Sequence, residues 1–481
     1  MKKPKLKYTL LFFAAFILYT PILQAQTWFE LGTGANSLKA IDPINSICTD
    51  ANNNVYAAGI KSDSDHYPQS KYYVAKWDAI SHNWSHLGTG TNALNAQSGI
   101  NTICADKYNN IYAAGMFIDS NFYRYVAKWD PLIGSWTELG TGANALNAFW
   151  EINTICSDDS GNIYAAGNFF DVHGYEYVAK WNGINWQSVG TLHANNRITS
   201  ICVDDSFNVY AAGSFTDDSG HIYVAKWNHA TGLWSELGAG FDSGVFHISI
   251  WSILVDSLQN VYATVNCNHG GMTNGNVFRW DGSSWHQLGA LNANNWIETI
   301  CRNDSGYIFA AGVFTDTTNN VYVAVWSPIT MEWDRLGAGS NAYFFQPQLN
   351  SSINSMCIDK NNHLYASGNF IDTIYMPVEH TFVAEYGVND LHIINPEFDN
   401  GEFEIFPNPA NTIINIEAKN IFVSDNQSYY LSDISGKKYA EGRLTIATNK
   451  ISQIDIKELP PGVYLLNIIT DRHIIYKIIK N

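Results

Sequence analysis

Ile100-Asn-Thr-Ile-Cys104, Ile111-Tyr-Ala-Ala-Gly115, Val126-Ala-Lys-Trp129 and Trp136-Thr-Glu-Leu-Gly140 follow one another within about 40 residues, and their reading decides the fold. Each run is short, rich in Val, Ile, Tyr and Trp, and bounded by Gly, Asn and Asp, which is the pattern of a strand. No helical period lies between them. The set recurs seven times, with leading residues Ile44, Ile100, Ile152, Ile198, Ile250, Ile297 and Ile353. From Ile47 to Met356 is 309 residues over six steps, a mean period of 51.5. Periods of this size mark propellers, solenoids or arrays. Asn182-Gly183 and Asp281-Gly282 sit between the third and fourth runs, where positive φ suits a tight hairpin. Four antiparallel strands per unit make the blade of a β-propeller.

The ends of the array sharpen this. The seventh unit lacks its Trp-x-x-Leu-Gly strand, and Trp28-Phe-Glu-Leu31-Gly32 supplies one at the other end. Residues 27 to 387 number 361, which matches seven periods. The chain is therefore expected to be all-β, with a seven-bladed β-propeller closed by its N-terminal strand. Closure removes the edge that an open array would expose, whereas a solenoid would carry atypical capping repeats. The repeat resembles NHL and kelch-type propeller repeats, a resemblance of fold and not of one activity.

After residue 388 the period breaks. Phe406-Pro407-Asn408-Pro409-Ala410, then Tyr430 to Gly436-Lys437, then Leu459-Pro-Pro-Gly462-Val-Tyr464 follow in order. Short strands between turn signals indicate a small Ig-like β-sandwich. The landmarks Phe406, Pro407, Asn408, Pro409, Gly436, Gly462 and Tyr464 resemble the type A C-terminal sorting domain of the Bacteroidetes type IX secretion system. That resemblance implies recognition by the type IX machinery in the periplasm and passage through the outer membrane. It also implies later cleavage and attachment of the passenger to surface lipopolysaccharide. A generic Ig-like adhesive module is the competing reading. The expected organisation is a signal peptide at 1–25, propeller at 26–388, linker at 389–402 and sorting domain at 403–481.

Composition agrees. The 481 residues carry 27 Lys and Arg against 44 Asp and Glu, a net charge of −17, which argues against a nucleic-acid partner. Aromatics at 14% against 15% charged residues supply a large core and exclude disorder for most of the chain. Lys2, Lys3, Lys5 and Lys7, the apolar run Leu10–Leu18 and the small Ala25 read as a secretory signal. The run is short of the roughly 20 residues that span a bilayer, and no later stretch is long enough, so no transmembrane segment is expected after cleavage. The product is expected outside the cell or attached to the outer-membrane surface. Residues 26–396 hold 14 basic and 33 acidic residues, a net of −19.

Six of the seven cysteines, Cys48, Cys104, Cys156, Cys202, Cys301 and Cys357, share one strand position, and Cys267 stands apart. Equivalent positions on separate blades are unsuited to the roughly 7 Å Cα spacing a disulfide needs, so the expectation is packing as small apolar residues. Neither a metal nor a cofactor is expected.

Two aspartates recur. One follows each second strand, as Asp63, Asp119, Asp171, Asp217, Asp316 and Asp372, with His269 in blade 5. A cation or sugar site competes there with an Asx turn, and repetition favours the turn, because catalysis needs one asymmetric set. The other lies two residues past the Cys position, and Ser157 to Tyr164 resembles a sialidase Asp-box, a structural turn in those enzymes. The arginines stand in differing repeat contexts and give that chemistry no support. No Ser/His/Asp set, phosphate loop or zinc-ligand spacing stands out, so no catalytic residue is assigned.

Departures from the repeat carry more information. Trp150, Phe246, His247, Trp296 and Phe344 lie in or beside loops leading into inner strands. Trp251 and Glu298 replace the usual Asn or Thr after the leading Ile. Aromatics beside polar groups suit a glycan or peptide, and packing between long loops is the plainer alternative. These residues are expected around one mouth of the channel. The expected function is a binding or adhesion module. The alternatives are an extracellular polysaccharide hydrolase or lyase, with Glu298 and one of the loop aspartates the first suspects, and a structural surface component. Fold alone does not choose among them.

Overall fold

The computed structural model describes residues 27–387 apart from 33–35, 39, 41, 62–70, 95, 242–246, 270–271, 338–350 and 372–380. It also describes residues 403–480 apart from 408–409, 419–426, 434–437, 445–450, 458, 461 and 470–472. The described residues fall into two compact units, Thr27–Gly387 and a second within 388–481. The expected signal peptide and linker lie outside the described residues.

Thr27–Gly387 is built of seven four-stranded antiparallel sheets. Blade 3 shows the pattern, with Ile152–Ser157, Ile163–Gly167, Ala179–Trp181 and Trp186–Ser188 adjacent in chain order. The first strand of each blade packs on the first strands of both neighbours, and that of blade 7 on that of blade 1. These strands therefore ring the axis. Thr27–Glu30 pairs with Thr381–Gly387 and becomes the outer strand of blade 7. The protein is a seven-bladed propeller closed by its N-terminal strand.

The Tyr-Ala-Ala-Gly strands are buried on both faces, as a strand sandwiched between sheets must be. Ile163–Gly167 is buried throughout. Its alternating side chains enter two cores: Ile163 and Ala165 pack towards blade 2, Tyr164 and Ala166 towards blade 4. The small Ala residues let adjacent twisted sheets approach.

Two belts of hydrogen bonds tie the blades together. The inner belt starts at a bulge. In blade 3 the register slips at Asn153, between Ile152 opposite Gly167 and Thr154 opposite Ala166. Asn153 Nδ2 then donates to the Ile198 carbonyl of blade 4 at 3.1 Å. Asn45, Asn101 and Thr199 likewise donate to the carbonyls of Ile100, Ile152 and Ile250. Blade 5 has Trp251 at that position, and Asn266 of its second strand serves Ile297 instead, at 2.9 Å. Ser367 serves Ile44 at 3.3 Å. Among the described residues the Ile353 carbonyl alone receives no such side-chain donor, and Glu298 occupies the donor's place.

The outer belt is made of indoles. Trp84, Trp136, Trp186, Trp234, Trp285 and Trp333 each donate Nε1–H to a carbonyl of the preceding blade, as Trp186 does to Leu139 at 2.7 Å. The glycine of Trp-x-x-Leu-Gly has a steric reason. Gly140 has φ +87°, and a Cβ there would lie 2.7 Å from the Trp181 ring.

All seven cysteines are free and partly buried. The aspartates after the inner strands are turn residues. Asp158 Oδ1 accepts the amides of Ser160 and Asn162, and its Oδ2 accepts Asn162 Nδ2 and the Tyr164 hydroxyl.

The second unit is an Ig-like sandwich. One sheet holds Phe403–Phe406, Ile413–Ala418 and Ile451–Asp455, and the other holds Lys438–Leu444, Gln427–Asp433, Gly462–Ile469 and His473–Lys480. Ile405, Ile414, Leu431, Ile454, Leu466 and Ile478 share one core between them. Among the described residues no helix is long and apolar enough to cross a membrane.

Candidate binding site

In an antiparallel four-stranded blade, the loops after the second and fourth strands open on one face. The departures from the repeat sit on that face in blades 4 to 6. Arg197 precedes the inner strand of blade 4, Trp251 lies in that of blade 5, and Trp296 precedes that of blade 6. They form a row across three blades. The Arg197 guanidinium lies 5.6 Å from the Trp251 ring, and the Trp251 and Trp296 rings are 5.1 Å apart at 39°. Such contacts fix the rings before any ligand arrives.

Local bonds hold the row. Trp251 Nε1 donates to Ser249 Oγ at 2.8 Å, and Arg197 Nε donates to Ser214 Oγ at 3.3 Å. The loop bearing Trp296 is pinned by a reciprocal pair: Asn294 Nδ2 donates to Thr315 Oγ1, and Thr315 N–H donates to Asn294 Oδ1. Blade 4 repeats this device with Asn195 and Thr216.

Beside Trp296 is an open cavity of about 480 Å³, lined by Thr273, Asn295, Trp296, Glu298, Thr315 and Ser352 among others. Glu298 is its one ionisable lining group among the described residues. Among the described residues its carboxyl has no hydrogen-bond or ion-pair partner. Burial alone raises it from the ordinary glutamate value to about 7.

Trp251, Trp296 and Glu298 thus share one region, whereas Trp150 lies in a separate cluster on blades 2 and 3. There Phe149 and Trp150 are 59% and 45% exposed, and Arg124 lies 5.9 Å from the Trp150 ring and donates to the Phe149 carbonyl. His247 is exposed at the start of the long first strand of blade 5, opposite Asn268. Phe246 and Phe344 lie outside the described residues. The described candidates thus form two contact groups, one on blades 2 and 3 and one on blades 4 to 6, both at the entry to inner strands.

The loop aspartates are spent on turns. Asp171 Oδ1 accepts the amides of His173 and Tyr175, and Asp119, Asp217 and Asp316 do the same in their blades. Asp63 and Asp372 lie outside the described residues. Among the described residues no group of three or more His, Cys, Asp or Glu is placed to hold a metal ion.

Sequence reasoning missed Arg197, because a charge beside a strand reads as a solvated residue. It also missed a second cavity of about 480 Å³ on the same face, lined by Phe170, Tyr175, Glu176 and His193 among others. The available signal was Phe170, which stands where other blades have Ile118, Thr216 and Thr315.

In the sandwich, the Phe406 carbonyl accepts Asn415 Nδ2 at 2.9 Å, and Pro407 is exposed. Gly462 pairs with Lys480, and Tyr464 is buried with its hydroxyl on the Pro460 carbonyl at 2.8 Å. Asn408, Pro409 and Gly436 lie outside the described residues.

Comparison with known proteins gives the class first. Residues 404–481 match the family described as secretion system C-terminal sorting domain. The protein therefore carries a type IX sorting domain behind an all-β propeller. It is a cargo of that machinery, placed outside the cell or attached to the outer-membrane surface. No curated protein matches the chain. Among solved structures, the chain is similar to a streptogramin B lyase at 10% identity and TM-score 0.46, covering 76% of this chain and 98% of that one. It is similar to a PL25 ulvan lyase at 13% and 0.45, covering 74% and 95%. It is also similar to the β-propeller domain of the Trilobed protease from Pyrococcus furiosus at 9% and 0.47, covering 74% and 97%.

Proposed function

We propose that the propeller is a binding or adhesion module, presented by type IX secretion, whose face over blades 4 to 6 takes a glycan. The observation that carries this is the prearranged Trp251–Trp296 pair beside the Glu298 cavity. Flat rings next to polar groups match the alternating apolar and hydroxyl surfaces of a sugar. Removal of residues 1–25 on export, and the sorting motif Phe406 to Pro409 as the part the machinery reads, belong to the same proposal.

The test is a glycan-array screen of the purified protein, with bound sugars analysed for cleavage. Binding without cleavage, lost in Trp251→Ala and Trp296→Ala, supports the module. Silence on the array counts against it and favours a structural surface component. The hydrolase or lyase reading is favoured by the place of Glu298 in the cavity lining, where burial pushes its carboxyl up to about 7, the range in which a general acid or base works best. Under that reading Glu298→Gln abolishes turnover and keeps ligand. Against it, a glycosidase needs two carboxyl groups, and among the described residues Glu298 is the one acidic residue lining the cavity.

A further inference from the structure

The inner belt gives Glu298 a meaning that its repeat position does not. In six of the seven blade junctions an amide or hydroxyl donates to the leading Ile carbonyl of the next blade. Where Trp251 cannot serve, the second strand supplies Asn266 as a substitute. At the junction of blades 6 and 7 neither an Asn nor a substitute is present among the described residues. An ionised carboxylate accepts and does not donate, so once ionised Glu298 cannot do the structural work of its position. It instead faces a cavity whose other described lining residues are neutral. A part-buried carboxyl without a partner is costly, and a ligand bearing donors or positive charge removes that cost.

Resting on the binding reading above, we infer that the cavity takes an amino-sugar unit, with its ammonium group against Glu298 and its ring face along Trp296. The surroundings favour a cation. Residues 26–396 carry a net charge of −19, which draws cationic ligands towards the protein. Arg197 lies against Trp251 and not among the cavity's lining residues, so it does not occupy the carboxyl. A Trp face attracts a cation, and the ring's flat area covers the apolar side of a sugar. A neutral sugar would use the same ring but would leave the Glu298 charge uncompensated. An N-acetylated sugar would bring a bulkier neutral amide to the same point.

The experiment is calorimetry on the full protein with three probes: glucosamine tetramer, N-acetylglucosamine tetramer and cellotetraose. The expected result is binding of the glucosamine tetramer at least about tenfold tighter than either other probe at pH 6. About tenfold corresponds to one modest charge-assisted contact. At that pH binding should also release a fraction of a proton, read from the buffer dependence of the heat, because the ammonium group favours the ionised carboxyl. Glu298→Gln should erase the preference and the proton release, bringing the glucosamine tetramer to within about twofold of cellotetraose in the same variant. Trp296→Ala should weaken all three probes. Equal affinities for the three probes overturn the inference and leave the binding reading standing. Binding by none of them also overturns it, and the wider array then decides the binding reading by itself. Thermal unfolding of each variant separates loss of the site from loss of the fold.

Discussion

Trp28 lies opposite Tyr386 in the strand pair that joins the first described strand to the last blade, with the two rings 5.1 Å apart. The indole is buried in the core shared by blades 6 and 7. Trp28→Ala should therefore cost about 3–5 kcal/mol, the range for losing a large buried aromatic. Urea unfolding of the wild type and variant measures it. A change under about 1 kcal/mol would mean that the closing strand is dispensable.

Asp158 carries four donors, and blade 6 shows what happens without the carboxylate. There Asn303 stands in the Asp place and Phe309 in the Tyr place. Asp158→Ala should cost about 2–4 kcal/mol, because several buried donors lose their acceptor. Asp158→Asn with Tyr164→Phe copies blade 6 and should cost less than the two single changes summed, with a coupling of about 1 kcal/mol. A double-mutant cycle checks the sign.

Glu298 makes stability depend on pH in a defined window. Its folded value, about 7, lies above the ordinary 4.5. Below pH 4.5 both states are protonated and no penalty exists. As pH rises towards 7 the unfolded chain ionises first, so stability is lost across that window and the penalty is complete above it. Glu298→Gln should match wild type at pH 4 and exceed it by about 1–3 kcal/mol at pH 8. Equal stability at pH 8 would show that the carboxyl ionises freely.

The six cysteines at the shared inner-strand position should be chemically silent. Burial, first among the causes, pushes the thiols of Cys48, Cys104, Cys156, Cys202, Cys301 and Cys357 well above their ordinary range, and thiolate is the reactive form. Iodoacetamide at pH 8 should leave these six unmodified in the native protein and label all of them in urea. Mass spectrometry reads the count. Native labelling of Cys104 or Cys156 would contradict the packing.

Much of this architecture was legible because repetition separates signal from noise. The Ile-x-x-Ile-Cys strands, the Tyr-Ala-Ala-Gly strands and the displaced Trp28 strand each follow from residues alone. The inner belt was not legible, since its donors change strand: Asn153 and Asn266 perform one task from different places. Among the binding candidates, Trp251, Trp296 and Glu298 stood out as breaks in a pattern. Their separation from Trp150 did not, because sequence orders the loops along the chain but does not tell which rings touch. Arg197 gained its meaning only when its guanidinium was found over Trp251.

Closure by the first strand also has a temporal side. Trp28 and Tyr386 are 358 positions apart in the chain, so the ring cannot be sealed until nearly the whole propeller has been synthesised. Contacts of such separation form late. The sorting domain is encoded after the closing partner, Thr381–Gly387. Any molecule that bears the sorting domain therefore already contains every strand needed to seal the ring, and a chain terminated within the propeller bears no sorting domain.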